Sequence, residues 1–150
     1  MKNFILLILF IFLTNCGFEP IYSKKNFDFK INRIEKENTV INNEISNALT
    51  NIYNNLNASK VLNIKINSKK YLNIKSKDKR GDPSKFELLI TVSFEAKDEL
   101  EKKYNKEFSR KMNFNNSDDK FQLAKYKLEL EKLLIKKLIE DINNYLANIQ

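Results

Sequence analysis

Few side chains in this sequence are equipped for chemistry, and their types narrow it sharply. There is one cysteine, Cys16, and there is no histidine or tryptophan. A single thiol excludes a disulfide within the chain. The lack of imidazole excludes a histidine acid/base pair and a histidine-ligated metal. Cys16 is itself a nucleophile, because a thiol reacts through its thiolate. Lys77, Lys79 and Arg80 form a dense cationic group. They suit phosphate or carboxylate groups, and a guanidinium can grip such a group with two parallel hydrogen bonds. The bland alternative is a charged turn facing solvent. Lys65, Lys69, Lys75 and Lys77 recur at odd positions with Tyr71 among them, a pattern that lines one face of a strand. Asp118 and Asp119 are adjacent, as acids often are where a helix begins. No carboxylate pair can be assigned to a shaped cleft, so no catalytic residue, metal ligand or cofactor is assigned.

The setting of Cys16 gives its thiol a purpose. Lys2 precedes an unbroken apolar run from Phe4 to Leu13. Such a run has the length of a signal-peptide core and is too short to span a bilayer, which takes roughly 20 residues. It ends in Leu13-Thr14-Asn15-Cys16. This resembles the bacterial lipobox, with Asn15 standing where Gly, Ala or Ser is usual. The resemblance implies a thioether-linked diacylglycerol on the Cys16 sulfur, cleavage before Cys16, and acylation of the new amino group. Two or more acyl chains hold a protein on a membrane where one does not. The alternative is an ordinary signal peptide that ends near a buried cysteine. Gly17 follows, where an Asp usually retains Gram-negative lipoproteins at the inner membrane, so the outer membrane is expected.

The formal net charge is +8, and about +7 once Lys2 leaves with residues 1–15. A basic balance points to an anionic partner such as a membrane surface or an acidic glycolipid, or it reflects a Lys-, Asn- and Ile-rich composition spread over solvated faces. Export argues against nucleic acid.

The remaining pattern supplies the frame that would position these groups. Residues 16–26 read as a tether and 27–150 as one domain. Phe27, Phe29 and Ile31 alternate with polar residues, as in a half-buried strand. Ile41, Ile45, Ala48, Leu49, Ile52 and Leu56 follow helical spacing, with Thr39 or Asn42 as the capping residue. Leu62, Ile64, Ile66, Leu72 and Ile74 fall on even positions of one long strand, interrupted if anywhere near Ser68. A turn is expected over Lys79–Ser84, then an alternating strand from Phe86 to Ala96. Leu100, Tyr104, Phe108, Met112 and Phe114 continue the even phase after a turn at Asp98-Glu99. Asn116 to Asp119 starts a last helix of about 30 residues. Its stripe runs through Ala124, Leu128, Ile135, Leu138, Ile139, Ile142, Leu146 and Ile149, widened by Leu130, Leu133 and Leu134. The expected fold is α+β, in the order β-α-β-β-β-α. It is a two-layer sandwich, with about four mostly antiparallel strands and two helices packed on one face.

The segment Cys16-Gly17-Phe18-Glu19-Pro20-Ile21-Tyr22 is similar to the start of the lipopolysaccharide-assembly lipoproteins (LptE-like), in their alphaproteobacterial form. The order of elements resembles that family's fold, and the stretch Leu138 to Leu146 resembles its usual close. The resemblance implies a non-enzymatic outer-membrane protein seated in the lumen of the LptD β-barrel. There it would plug the barrel, help it assemble, and contact lipopolysaccharide, with Lys77, Lys79 and Arg80 as the candidate contacts. The competing reading is a stand-alone basic periplasmic lipoprotein that binds anionic lipid or cell-wall polymer. The two differ in whether a barrel partner accompanies the protein.

Overall fold

The computed structural model describes residues 29–149. The leader, Cys16 and the tether lie outside the described residues. The order of elements is β1 (Phe29–Lys36), α1 (Val40–Ile52), β2 (Lys60–Lys77), β3 (Pro83–Lys97), β4 (Lys103–Asn115) and α2 (Lys120–Asn148). The strands form one sheet in the order β1-β2-β3-β4. β1 runs parallel to β2, and the two later pairings are antiparallel. A parallel pair needs a crossover, and α1 is that crossover. This is the expected α+β architecture.

The register of β1 shifts between Ile31 and Arg33. One residue more on one strand changes the alternation, and so Phe29, Ile31 and Ile34 all pack toward the core. α1 begins at Thr39, whose hydroxyl accepts from the Asn42 N–H at 3.2 Å. That decides between the two capping residues the sequence left open. Ile41, Ile45 and Leu49 are its buried stripe, at the four-residue spacing of one helix face. The helix stops at Ile52 and Tyr53 caps it, so the expectation that Leu56 continues the stripe is corrected. Leu56 lies beyond the helix and is exposed.

The even positions of β2, β3 and β4 face the helices. Leu62, Ile64, Ile66, Leu88, Ile90, Val92, Phe94, Ala96, Phe108 and Phe114 are all buried there. β2 is continuous through Ser68. Leu100 falls in the turn before β4 and is exposed, so it does not belong to that strand's apolar face. α2 starts at Asp119, whose carboxylate accepts from the Gln122 N–H at 3.0 Å. Its buried side is Leu123, Leu130, Leu134, Ile135, Leu138, Ile142, Asn143 and Leu146. Ala124 and Leu128, expected in that stripe, are exposed.

Two aromatic and polar contacts tie the layers together. Phe94, Phe108 and Tyr145 meet edge to face, with centroids 5.8–6.2 Å apart. The Tyr53 hydroxyl donates to Asn143 Oδ1 at 3.2 Å in the interior, joining the end of α1 to α2. Outside the core, Arg110 on β4 grips Asp141 on α2 with Nε 2.6 Å from one carboxylate oxygen and a second bond to the other.

The two hairpins of the meander turn the same way. Asp78 Oδ1 accepts from the backbone N–H groups of Arg80 and Asp82, and Asp98 Oδ1 accepts from those of Leu100 and Lys102. Each turn places its fourth residue in the left-handed region, Gly81 at φ 90° in the first and Glu101 at φ 60° in the second. Only glycine takes that conformation without a Cβ penalty, roughly 1–2 kcal/mol for other residues. Glu101→Gly is therefore expected to stabilise the fold by about 1 kcal/mol, read as a higher urea midpoint. The ion pair it removes, Lys97 with Glu101 at 3.4 Å, is exposed and contributes little.

Candidate functional site

The cationic group singled out in the sequence lies at the β2–β3 hairpin tip. Lys77 ends β2, and Lys79 and Arg80 sit in the turn. All three are exposed. The tip is not purely cationic. Arg80 Nε lies 3.4 Å from Asp78 Oδ2 and 3.9 Å from Asp82 Oδ2. The Asp82 backbone N–H holds the Asp78 carboxyl below the usual carboxylate range, aided by the N–H and guanidinium of Arg80. Arg80 therefore meets an incoming anion only in competition with its own turn. Lys77 and Lys79 have no ion pair among the described residues.

Beside the tip, the sheet ends in a wide cleft of about 860 Å³ that reaches Phe86, Asn116 and Lys127. The Lys127 ammonium stands 5.5 Å from the centre of the Phe86 ring and 5.8 Å from that of Phe114. That places a further cation near the tip, and sequence spacing gave no sign of it.

The odd face of the sheet is the open one, and it carries the lysine stripe. Lys65, Lys69 and Lys75 lie there with Tyr71. Within it sits one acid that strand alternation alone does not mark out. Glu87 on β3 is 7 % exposed. It accepts from Asn73 Nδ2 at 3.3 Å and lies 3.7 Å from Lys75 Nζ and 3.6 Å from Lys111 Nζ. The Asn73 amide first, then the two ammonium groups, holds its carboxyl below the usual range. Glu87 thus spends two of the face's lysines on an internal pairing.

These two carboxylates set a pH expectation. Each is lowered on folding, so each stabilises the native state fully above the ordinary carboxylate range and progressively less as pH falls through its lowered value. The urea midpoint should drop below about pH 4, and the double variant Asp78→Asn/Glu87→Gln should flatten that drop. Equal drops in both proteins would contradict it.

On the helix side, a groove of about 400 Å³ opens where α1 begins. It is lined by Val40, Ile41, Ser68, Lys70, Leu128 and Ile135 among others. Lys70 Nζ bonds both oxygens of Glu131 at 3.0 Å across it. Among the described residues no group of acids and cysteine is arranged to hold a metal ion, and no helix is long and apolar enough to cross a membrane.

No protein-family model and no curated protein sequence matches the chain. Solved structures do. The rare lipoprotein B of Shewanella oneidensis is 16% identical, with a TM-score of 0.53 over 79% of this chain and 93% of that one. A lipoprotein B of Nitrosomonas europaea is 17% identical, at 0.57 over 79% and 84%. A minor lipoprotein of Acinetobacter baumannii is 16% identical, at 0.56 over 81% and 92%. The chain has the fold of these bacterial lipoproteins. The likeness spans 84–93% of each of them.

Proposed function

We propose that this chain is an acyl-anchored outer-membrane lipoprotein that plugs an LptD-type β-barrel, helps it assemble, and so serves lipopolysaccharide transport to the cell surface. One coincidence carries the reading. A lipobox-like Leu13-Thr14-Asn15-Cys16, followed by Gly17-Phe18-Glu19-Pro20-Ile21-Tyr22, precedes a domain with the fold of rare lipoprotein B. The leader and tether motif and the fold are separate observations, and both point to the same family of LptE-like lipoproteins.

In this reading Cys16 carries the acyl chains, and the domain works by contact and not by catalysis. Arg110 is paired with Asp141, and the one buried acid among the described residues, Glu87, is held by Lys75 and Lys111. The hairpin tip is the place for a phosphorylated glycolipid. Lys77 and Lys79 would make the charge contacts there, and Arg80 would join by exchanging Asp78 and Asp82 for the ligand.

Depletion of the protein in its own cells tests the role. The expected result is less folded barrel in the outer membrane and less lipopolysaccharide accessible to surface labelling. Normal levels of both would overturn the proposal.

A further inference from the structure

β2 is longer than its neighbour on one side. β1 ends with Lys36 opposite Ile66, while β2 continues to Lys77. From Asn67 to Lys77 the strand pairs with β3 alone. No other described strand lies along its outer edge, so about 35 Å of backbone presents a row of free N–H and C=O groups.

The side chains of that stretch are unusual for an open edge. On its helix-side face Leu72 and Ile74 are bare, 48 % and 52 % exposed, among Ser68, Lys70 and Ser76. α1 covers β1 and the first half of β2, and it starts only at Val40, beside Ser68. The β4 edge of the sheet differs. Its helix-side residues Phe108 and Phe114 are already buried.

The charge is one-sided as well. β2 holds six lysines and no acid. Lys70 and Lys75 have Glu131 and Glu87 as partners. Lys69 and Lys77, on the odd face, have no ion pair among the described residues.

We propose that the Asn67–Lys77 edge of β2 accepts an added strand from another protein, an extended segment in which acidic side chains alternate with apolar ones. The backbone row supplies the hydrogen bonds of strand addition. The segment's apolar side chains extend the Leu72 and Ile74 face beyond the start of α1. Its acidic ones meet Lys69 and Lys77 on the opposite face, at the distance of cross-strand neighbours. A second copy of this chain is a poor occupant, because joining two such edges sets lysine against lysine with no acid between them. A lipid surface satisfies the lysines and leaves the backbone row unpaired. Lysines on an edge also discourage indiscriminate pairing, and here they select an acidic segment by the same means.

The test uses the full chain in detergent micelles and a fluorescent peptide of about eight residues that alternates Val and Glu. Saturating peptide should slow amide exchange within Asn67–Lys77 and leave β4 unchanged. Lys69→Glu/Lys77→Glu should weaken binding roughly tenfold. Methylating alternate peptide nitrogens should abolish binding to the unaltered chain, a result that needs no protein variant. The proposal is overturned if Asn67–Lys77 gains no protection, if charge reversal leaves affinity unchanged, or if phosphatidylglycerol vesicles bind in place of the peptide. It stands apart from the barrel reading, which depletion and co-purification decide on their own.

Discussion

Replacing the one cysteine should strip the protein of its lipid. In Cys16→Ala the apolar leader remains, but no sulfur is left to take a diacylglycerol. On the proposed reading the acyl chains would carry most of the anchoring free energy, at about 0.8 kcal/mol per buried CH₂. The described domain offers no membrane-crossing helix to compensate. The variant is expected to lose the thioether-linked lipid wholly and to keep its leader, running at the higher mass of the uncleaved chain. Metabolic labelling with palmitate and gel mobility check this. Palmitate incorporation equal to that of the unaltered protein would contradict the assignment of Cys16.

The second large effect belongs to the core. Phe94 lies on β3, 1 % exposed, with its ring against Phe108 and Tyr145. Phe94→Ala removes the ring that joins the sheet to α2 and leaves a cavity. The expected loss is about 3–5 kcal/mol, a large share of the roughly 5–15 kcal/mol that holds a domain together. Leu72→Ala makes the decisive contrast. Leu72 has the same parity as the buried residues of β2, but it is half exposed, and its truncation should cost under about 1 kcal/mol. Urea unfolding of both variants checks the pair. A large loss from Leu72→Ala would mean that the far half of β2 is covered in the working protein.

That contrast also shows what the sequence can and cannot disclose. Period-two alternation assigns every strand residue to a face, and the buried even positions of β2, β3 and β4 follow it. Alternation does not say how far a face is covered. β2 has 18 residues, about 60 Å of strand, and α1 has 13, about 20 Å of helix. Burial in β2 therefore stops near Ser68 although the pattern runs on to Ile74.

The first half of α2 offers two apolar sides, Leu123 with Leu130 and Ala124 with Leu128. The first pair is buried because α2 lies over β3 and β4, a placement that only the assembled sheet decides. Leu128 then faces the groove at the start of α1.

At the site, the cations of the hairpin were legible and their partners were not. The tip reads as Lys77, Lys79 and Arg80 in sequence. The turn that Asp78 builds with its own carboxylate folds Arg80 back toward Asp78 and Asp82. Glu87 is not legible as a site residue, because its place in an alternating strand marks it as outward, and outward acids are usually solvated. Only the register, which sets Asn73 beside it and Lys111 nearby, makes it the buried hub of the open face.

The central claim is that this protein works as the lumenal partner of a barrel. The direct measurement is stoichiometric. Tagged full-length protein is extracted from its own membranes in detergent and purified, and whatever accompanies it is quantified by mass spectrometry together with the Cys16 peptide. The account predicts an acylated Cys16 and an LptD-type barrel in equal amount. An acylated protein that emerges alone would contradict the plug, and would favour a basic lipoprotein that binds anionic lipid or cell-wall polymer by itself.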